Sequence, residues 1–222
     1  MVYNTKIKVG ITHGDINGIG YEVIIKTLME PRMLEMCTPV IYGSPKVAAY
    51  HRKALNVEHI SYNHIRNPQE AAANKVNIIN CIDENIRVEL GKSTPSAGES
   101  SLMALERAVA DIQKGHIDVL VTAPINKYNI QSSQFNFPGH TEYLAQQFRS
   151  DDVVMLMVGE NLRVGVVTGH IPLMDVPRQI TRKKILSRLR VIHRSLQEDF
   201  QVTNPRIAVL GLNPHAGDSG LI

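Results

Sequence analysis

The chain has 222 residues, 43% of them hydrophobic and 20% charged, with a formal net charge of +3. These values describe a soluble globular protein of one large or two modest domains, and the charge is too small to argue for a nucleic-acid partner. No apolar run reaches membrane-spanning length, and the opening "MVYNTKIKVGITHG" enters an alternating strand pattern with no room for a signal peptide. The two cysteines, Cys37 and Cys81, have neither CxxC spacing nor a disulfide framework, so a reducing cytoplasm is the expected compartment.

In chain order, "KIKVGIT" predicts a strand, then the turn "HGDINGIG" and a helix over about residues 21–29. "TPVIYG" reads as a short buried strand. "SPKVAAYHRKAL" starts a helix, with Ser44 as N-cap and Pro45 in the first turn. "SAGESSLMALERAVADIQKG" gives the clearest helix, with Leu102, Leu105, Val109 and Ile112 on one face and Gly115 where a C-cap belongs. "IDVLVTAP" is expected to be a strand buried on both sides. "VVMLMVG" and "LRVGVVTGH" read as a hairpin joined by Glu160 and Asn161. The basic stretch at residues 178–194 carries Ile185, Leu189, Ile192 and Leu196 at helical spacing, the pattern of an amphipathic helix with a solvated face. "PRIAVLGLN" is the last expected strand. Helices alternating with β-branched strands indicate an α/β fold around a sheet of mixed direction.

Two nucleotide motifs fail. "GIGYEV" places Gly18 and Gly20 between strand and helix, but Val23 stands where a third small residue is needed, and "VIYG" lacks the acidic residue that would follow. "GKS" at residues 91–93 lacks its upstream glycine, since Ile86 is there. The glycines near residue 18 either make a tight turn against a ligand or simply reverse the chain.

Of nine histidines, His51, His59, His64, His116 and His193 are expected at the surface, and His13 opens a turn without a defined role. His170 and His215 follow expected strands, where open α/β sheets gather ligands, and His140 in "FPGHTEYLA" precedes a helix. Imidazoles on such loops either bind a divalent metal or satisfy local carbonyls. A helix beginning at His140 or Thr141 would direct free amides and a positive dipole end toward a carboxylate or phosphate.

"VTAPINK", "FPGHTEYLA", "VVTGHIPLMDVP" and "LGLNPHAGDSG", in this order, resemble the 4-hydroxythreonine-4-phosphate dehydrogenase family of vitamin B6 biosynthesis, over the whole chain. The resemblance implies two α/β/α domains with a mixed sheet and an interdomain cleft, like the isocitrate and isopropylmalate dehydrogenases. It also implies NAD or NADP bound without the glycine fingerprint. His170 and His215 match the family's metal-binding histidines, for Zn, Mg or Co, and His140 and Thr141 match its substrate-binding pair. A third metal histidine, further substrate contacts and most cofactor contacts are expected beyond residue 222. On this reading, residues 1–222 are the N-terminal and greater part of an intertwined two-domain enzyme, a homodimer with its active site at the subunit interface. The turn departs from the family's "GDPAGIGPE"-like pattern, since Ile16, Asn17 and Tyr21 stand in "GDINGIGYE".

The implied reaction oxidises 4-phosphooxy-L-threonine to a 3-oxo acid that decarboxylates to 3-amino-2-oxopropyl phosphate, with cofactor and metal carrying the chemistry. Lys127 in "APINK" is a candidate for charge compensation or proton transfer, or else a solvated loop lysine. Two rival readings are a sister dehydrogenase acting on 4-phosphothreonate or 4-phosphoerythronate, and an inactive anion-binding module.

Overall fold

The computed structural model describes residues 6–150, 152–213, 215, 217, 218 and 221. The chain divides into two compact units at Phe148 and Arg149.

Among the described residues the first unit contains strands β1 (Ile7–Thr12), β2 (Cys37–Gly43), β3 (Tyr62–Ile65), β4 (Val76–Asn80) and β5 (Val119–Thr122). Its helices are α1 (Gly20–Leu28), α2 (Pro31–Met36), α3 (Pro45–Ala54), α4 (Pro95–Gln113) and α5 (His140–Gln147). The strands form one sheet in the order β3-β4-β2-β1-β5, and every pairing is parallel. The expected mixed sheet is therefore corrected: the only antiparallel ladder among the described residues is a separate pair in the second unit. Crossovers, α-helical except for the short 3-10 turn Pro68–Glu70 between β3 and β4, return the chain to the same end of the sheet, which gives parallel pairing.

Alternation along β2 and β4 sorts the core into two layers. Ile41 and Ile78 pack with Ile24 and Ile25 of α1 and Val47 and Ala48 of α3. Val40, Tyr42 and Ile79 point the other way, onto Ala104 and Ala108 of α4. The opposite face of α4, with Leu102, Leu105 and Val109, holds Ile130, Phe135 and Tyr143, and so carries α5.

The caps follow the sequence. Ser44 accepts from the Val47 amide at 3.3 Å, and Thr94 accepts from Ala97 at 3.3 Å, each with a proline opening the helix. At the end of α4, Gly115 has φ +68°, and the amides of Gly115 and His116 reach back to the carbonyls of Ile112 and Asp111. This is a Schellman closure, and its left-handed residue favours glycine.

β5 does not match its expected burial on both sides. It is an edge strand, and Val119 and Val121 are 44% and 50% exposed. Its apolar run reflects β-branched pairing with β1 rather than coverage on both faces.

The second unit contains β6 (Leu156–Val158), β7 (Arg163–Gly165), α6 (Val176–Gln179) and α7 (Arg182–Glu198). β6 and β7 form the expected hairpin, closed around Glu160 and Asn161 by the Gly159 amide donating to the Leu162 carbonyl at 2.8 Å. Thr181 caps α7, which turns Leu196 inward while Arg190 and Arg194 stay exposed. The expected strand "PRIAVLGLN" forms no ladder among the described residues, and Val209 and Leu210 are exposed. A strand is defined by its partners, and apolar alternation alone supplies none. Among the described residues no helix is long and apolar enough to cross a membrane.

Candidate functional site

The turn at residues 13–20, leaving the carboxyl end of β1, is buried except at Gly18 and Ile19 and densely bonded. His13, Ile16, Asn17 and Tyr21 are all almost wholly enclosed. Tyr21 stacks between two imidazoles, with centroid distances of 5.4 Å to His13 and 5.1 Å to His51. Its hydroxyl accepts from the Ser44 amide at 2.8 Å and donates to the Ser44 carbonyl at 3.3 Å. His51, expected at the surface, is therefore a core residue, with Nε2 2.8 Å from the Ile16 carbonyl. Its helical surroundings in "AAYHRKA" concealed that its side chain lies on the face of α3 turned to α1.

Burial holds the His13 imidazole down at about 4. The carbonyls of Ser100 and Gly14 favour the proton but do not reach hydrogen-bond geometry, and neither ring nitrogen has a partner among the described residues. Asn17 ties the turn to residues 89–94. Its Oδ1 accepts from the Glu89 amide at 2.7 Å, and its Nδ2 donates to the Lys92 carbonyl and Thr94 Oγ1, both at 3.0 Å. Ile16, Asn17 and Tyr21 are thus all enclosed, Asn17 held by side-chain bonds and Tyr21 by stacking.

The segment after β5 lies directly against this turn. The Asp15 amide donates to the Pro124 carbonyl at 2.9 Å, and Gly14, at φ +69°, passes so close that a Cβ would sit 2.3 Å from that oxygen. Lys127 follows, exposed, within a turn where Asn126 Oδ1 accepts from the Tyr128 amide at 3.0 Å.

His140 is the first residue of α5 and Gly139 its N-cap. The first intrahelical bond runs from Tyr143 to Gly139, so the amides of His140 and Thr141 point out of the helix's amino end. Lys127 reaches this point, since a Cβ placed on Gly139 would be 3.9 Å from its Nζ and 3.8 Å from Glu142 Oε2. Desolvation, and then the Lys127 charge, lower the His140 pKa. Its Nε2 is shielded from solvent and has no partner among the described residues. Lys127 and Glu142 thus lie beside the helix start that carries His140 and Thr141: a cation, a carboxylate, an imidazole of lowered proton affinity and outward amides.

His170 and His215 lie in the second unit. His170 is in the exposed loop after β7, and His215 is exposed with φ +53°. Among the described residues no group of three or more His, Cys, Asp or Glu side chains could hold a metal ion. Two imidazoles fall one short of the three protein ligands that a catalytic metal site usually keeps. Two concavities of about 380 and 450 Å³ border β3 near Tyr62 and contain none of these residues.

Sequence reading missed Asp15 and Asn129, which bond to each other across 114 positions. The "GDING" turn was the available signal, because Asp and Asn ahead of glycine bond locally.

A parallel sheet with helices on both faces defines the open-sheet α/β class, in which ligands gather outside the carboxyl ends of the strands. The sequence pattern of the family "Pyridoxal phosphate biosynthetic protein PdxA" matches residues 35–222. A 4-hydroxythreonine-4-phosphate dehydrogenase from Bacteroides thetaiotaomicron is 51% identical over 218 residues, covering 98% of this chain and 60% of that protein. A D-threonate 4-phosphate dehydrogenase from Cupriavidus necator is 36% identical, over 96% of this chain and 64% of that one. The crystal structure of a 4-hydroxythreonine-4-phosphate dehydrogenase from Klebsiella pneumoniae aligns with a TM-score of 0.86 at 30% identity, over 100% of this chain and 67% of the other. The chain belongs to the PdxA family, and it spans between 60% and two-thirds of the length of the first curated relatives it matches.

Proposed function

We propose that this chain forms the substrate-binding part of an NAD(P)-dependent dehydrogenase that oxidises 4-phosphooxy-L-threonine, with decarboxylation of the 3-oxo acid following. The observation that carries the reading is the shielded His140 Nε2, without a partner among the described residues, beside Lys127 at the start of α5. A phosphorylated, carboxylated substrate supplies what that arrangement lacks. Lys127 and the amides of His140 and Thr141 bind an anionic group, and the Thr141 hydroxyl orients it. His140, kept neutral by desolvation and by Lys127, takes a hydrogen bond or a proton from the substrate.

His170 and His215 are proposed as two donors to a divalent metal (Zn, Mg or Co). NAD or NADP, when bound, would supply the hydride acceptor. The proposed enzyme is a cytoplasmic homodimer, and residues 1–222 form the larger part of two intertwined domains. A second reading, oxidation of D-threonate 4-phosphate, is favoured by the 36% identity to the Cupriavidus protein.

The test is the rate of NADH or NADPH formation by the full-length native protein with each substrate in the presence of Zn, Mg or Co. Turnover of 4-phosphooxy-L-threonine supports the first reading, preference for D-threonate 4-phosphate supports the second, and activity with neither overturns both.

A further inference from the structure

Asp15 is 8% exposed at the carboxyl end of β1 and touches the segment bearing Lys127 at both ends. Its amide donates to Pro124, where the segment begins. Its Oδ2 accepts from Asn129 Nδ2 at 3.2 Å, where the segment ends, and its Oδ1 accepts from the Asn17 amide at 2.8 Å. The Asn129 oxygen is shielded and has no partner among the described residues, so that amide serves the contact with Asp15 alone among its side-chain bonds. The Asn129 peptide is pressed onto α4 from the other side, where a Cβ on Gly98 would lie 1.9 Å from its carbonyl oxygen. Ile130 is buried against Leu102 and Leu105. Lys127 therefore stands at the crown of a segment clamped between β1 and α4, and this clamp sets where its ammonium lies relative to Gly139 and His140.

We propose that Asp15 is a positioning residue for Lys127: through Asn129 it fixes the segment that holds the Lys127 ammonium at the start of α5. The functional part of this inference rests on the proposed role of Lys127 as counter-charge to the substrate.

The test uses the full-length protein and four forms: wild type, Asp15→Ala, Lys127→Ala and the double variant. With 4-phosphooxy-L-threonine, Asp15→Ala should raise KM about tenfold while kcat stays within about threefold. Added to Lys127→Ala, it should change KM less than about twofold, because the group it positions is already gone. Independent multiplication of the two effects, or an unchanged KM in Asp15→Ala, overturns the proposal. Trypsin provides a readout that needs no turnover. Cleavage after Lys127 should accelerate about fivefold or more in Asp15→Ala, while cleavage after Lys75 stays as in wild type. Equal cleavage after Lys127 overturns the positioning role. If wild type does not turn over this substrate, the functional reading fails, and proteolysis still decides whether Asp15 holds the segment. Should Asp15→Ala not fold, Asn129→Ala breaks the same bond from the other side and replaces it in both assays.

Discussion

Tyr21 lies parallel to His13 within 13°, their ring centroids 5.4 Å apart, both rings fully enclosed beneath the turn that leaves β1. Enclosure keeps the His13 imidazole neutral, with its pKa lowered to about 4 by desolvation. The unfolded chain, with a value near 6.5, binds the proton first. Stability linked to His13 is therefore complete above about pH 6.5 and is lost as the pH falls toward 4, by up to ~3 kcal/mol. Urea midpoints between pH 7 and pH 4.5 should fall more steeply for wild type than for His13→Phe. Parallel slopes would show that His13 does not titrate this way.

Asn17→Ala removes three side-chain bonds to residues 89–94 and leaves the Glu89 amide and Lys92 carbonyl without that partner. At roughly 1 kcal/mol for each lost bond, more where a group stays buried, the cost should be about 2–4 kcal/mol. Urea denaturation measures it, and a change below about 1 kcal/mol would mean that residues 89–94 are held by other contacts.

Gly98→Ala sets two effects in opposition. Alanine favours a helix by about 1 kcal/mol over glycine. Its Cβ would meet the Asn129 carbonyl oxygen at 1.9 Å, a backbone atom that yields only if the segment moves. Overpacking costs about 1–3 kcal/mol, so the net sign should be destabilising. A melting temperature at or above wild type would reverse that judgement.

His170→Ala and His215→Ala, in the full-length enzyme, should each abolish metal-dependent activity while leaving far-ultraviolet circular dichroism unchanged, since both side chains are exposed. Wild-type metal content in either purified variant would remove the assignment. His140→Ala should instead raise the substrate KM with little change in metal affinity, and the reverse pattern would move His140 out of the anion site.

Much of the first unit could be read from local chemistry. Ser44 with Pro45, and Gly115 after "VADIQK", are residues whose backbone preferences act within one turn of chain, and the structure uses them as caps. Contacts between distant segments were less accessible. Nothing local in "IDVLVTAP" distinguishes an edge strand from a central one, because that depends on which strand lies beyond it. His51 looked like a surface residue until α1 brought Tyr21 onto its ring. His140 and Thr141 were read as a helix start, and the structure begins α5 at His140, with the separately named Lys127 close to Gly139. Asp15 and Asn129, 114 positions apart, leave no periodic trace at all.

The seam between β1 and β5 has one more implication. The crossover helix α1 after β1 packs on one face of the sheet and α4, which leads into β5, on the other, so the chain parts there as it does at nucleotide crevices of open sheets. Here the gap is stitched shut: Ala123 donates to Thr12, Asp15 donates to Pro124, and Gly14 and Gly20 leave no room for side chains between the layers. A dinucleotide laid across this seam would have to unpick those bonds. Adenosine-based inhibitors shaped for glycine-rich crevices should therefore pass this end of the sheet by, whereas small phosphonates aimed at the amides of His140 and Thr141 have a surface to hold.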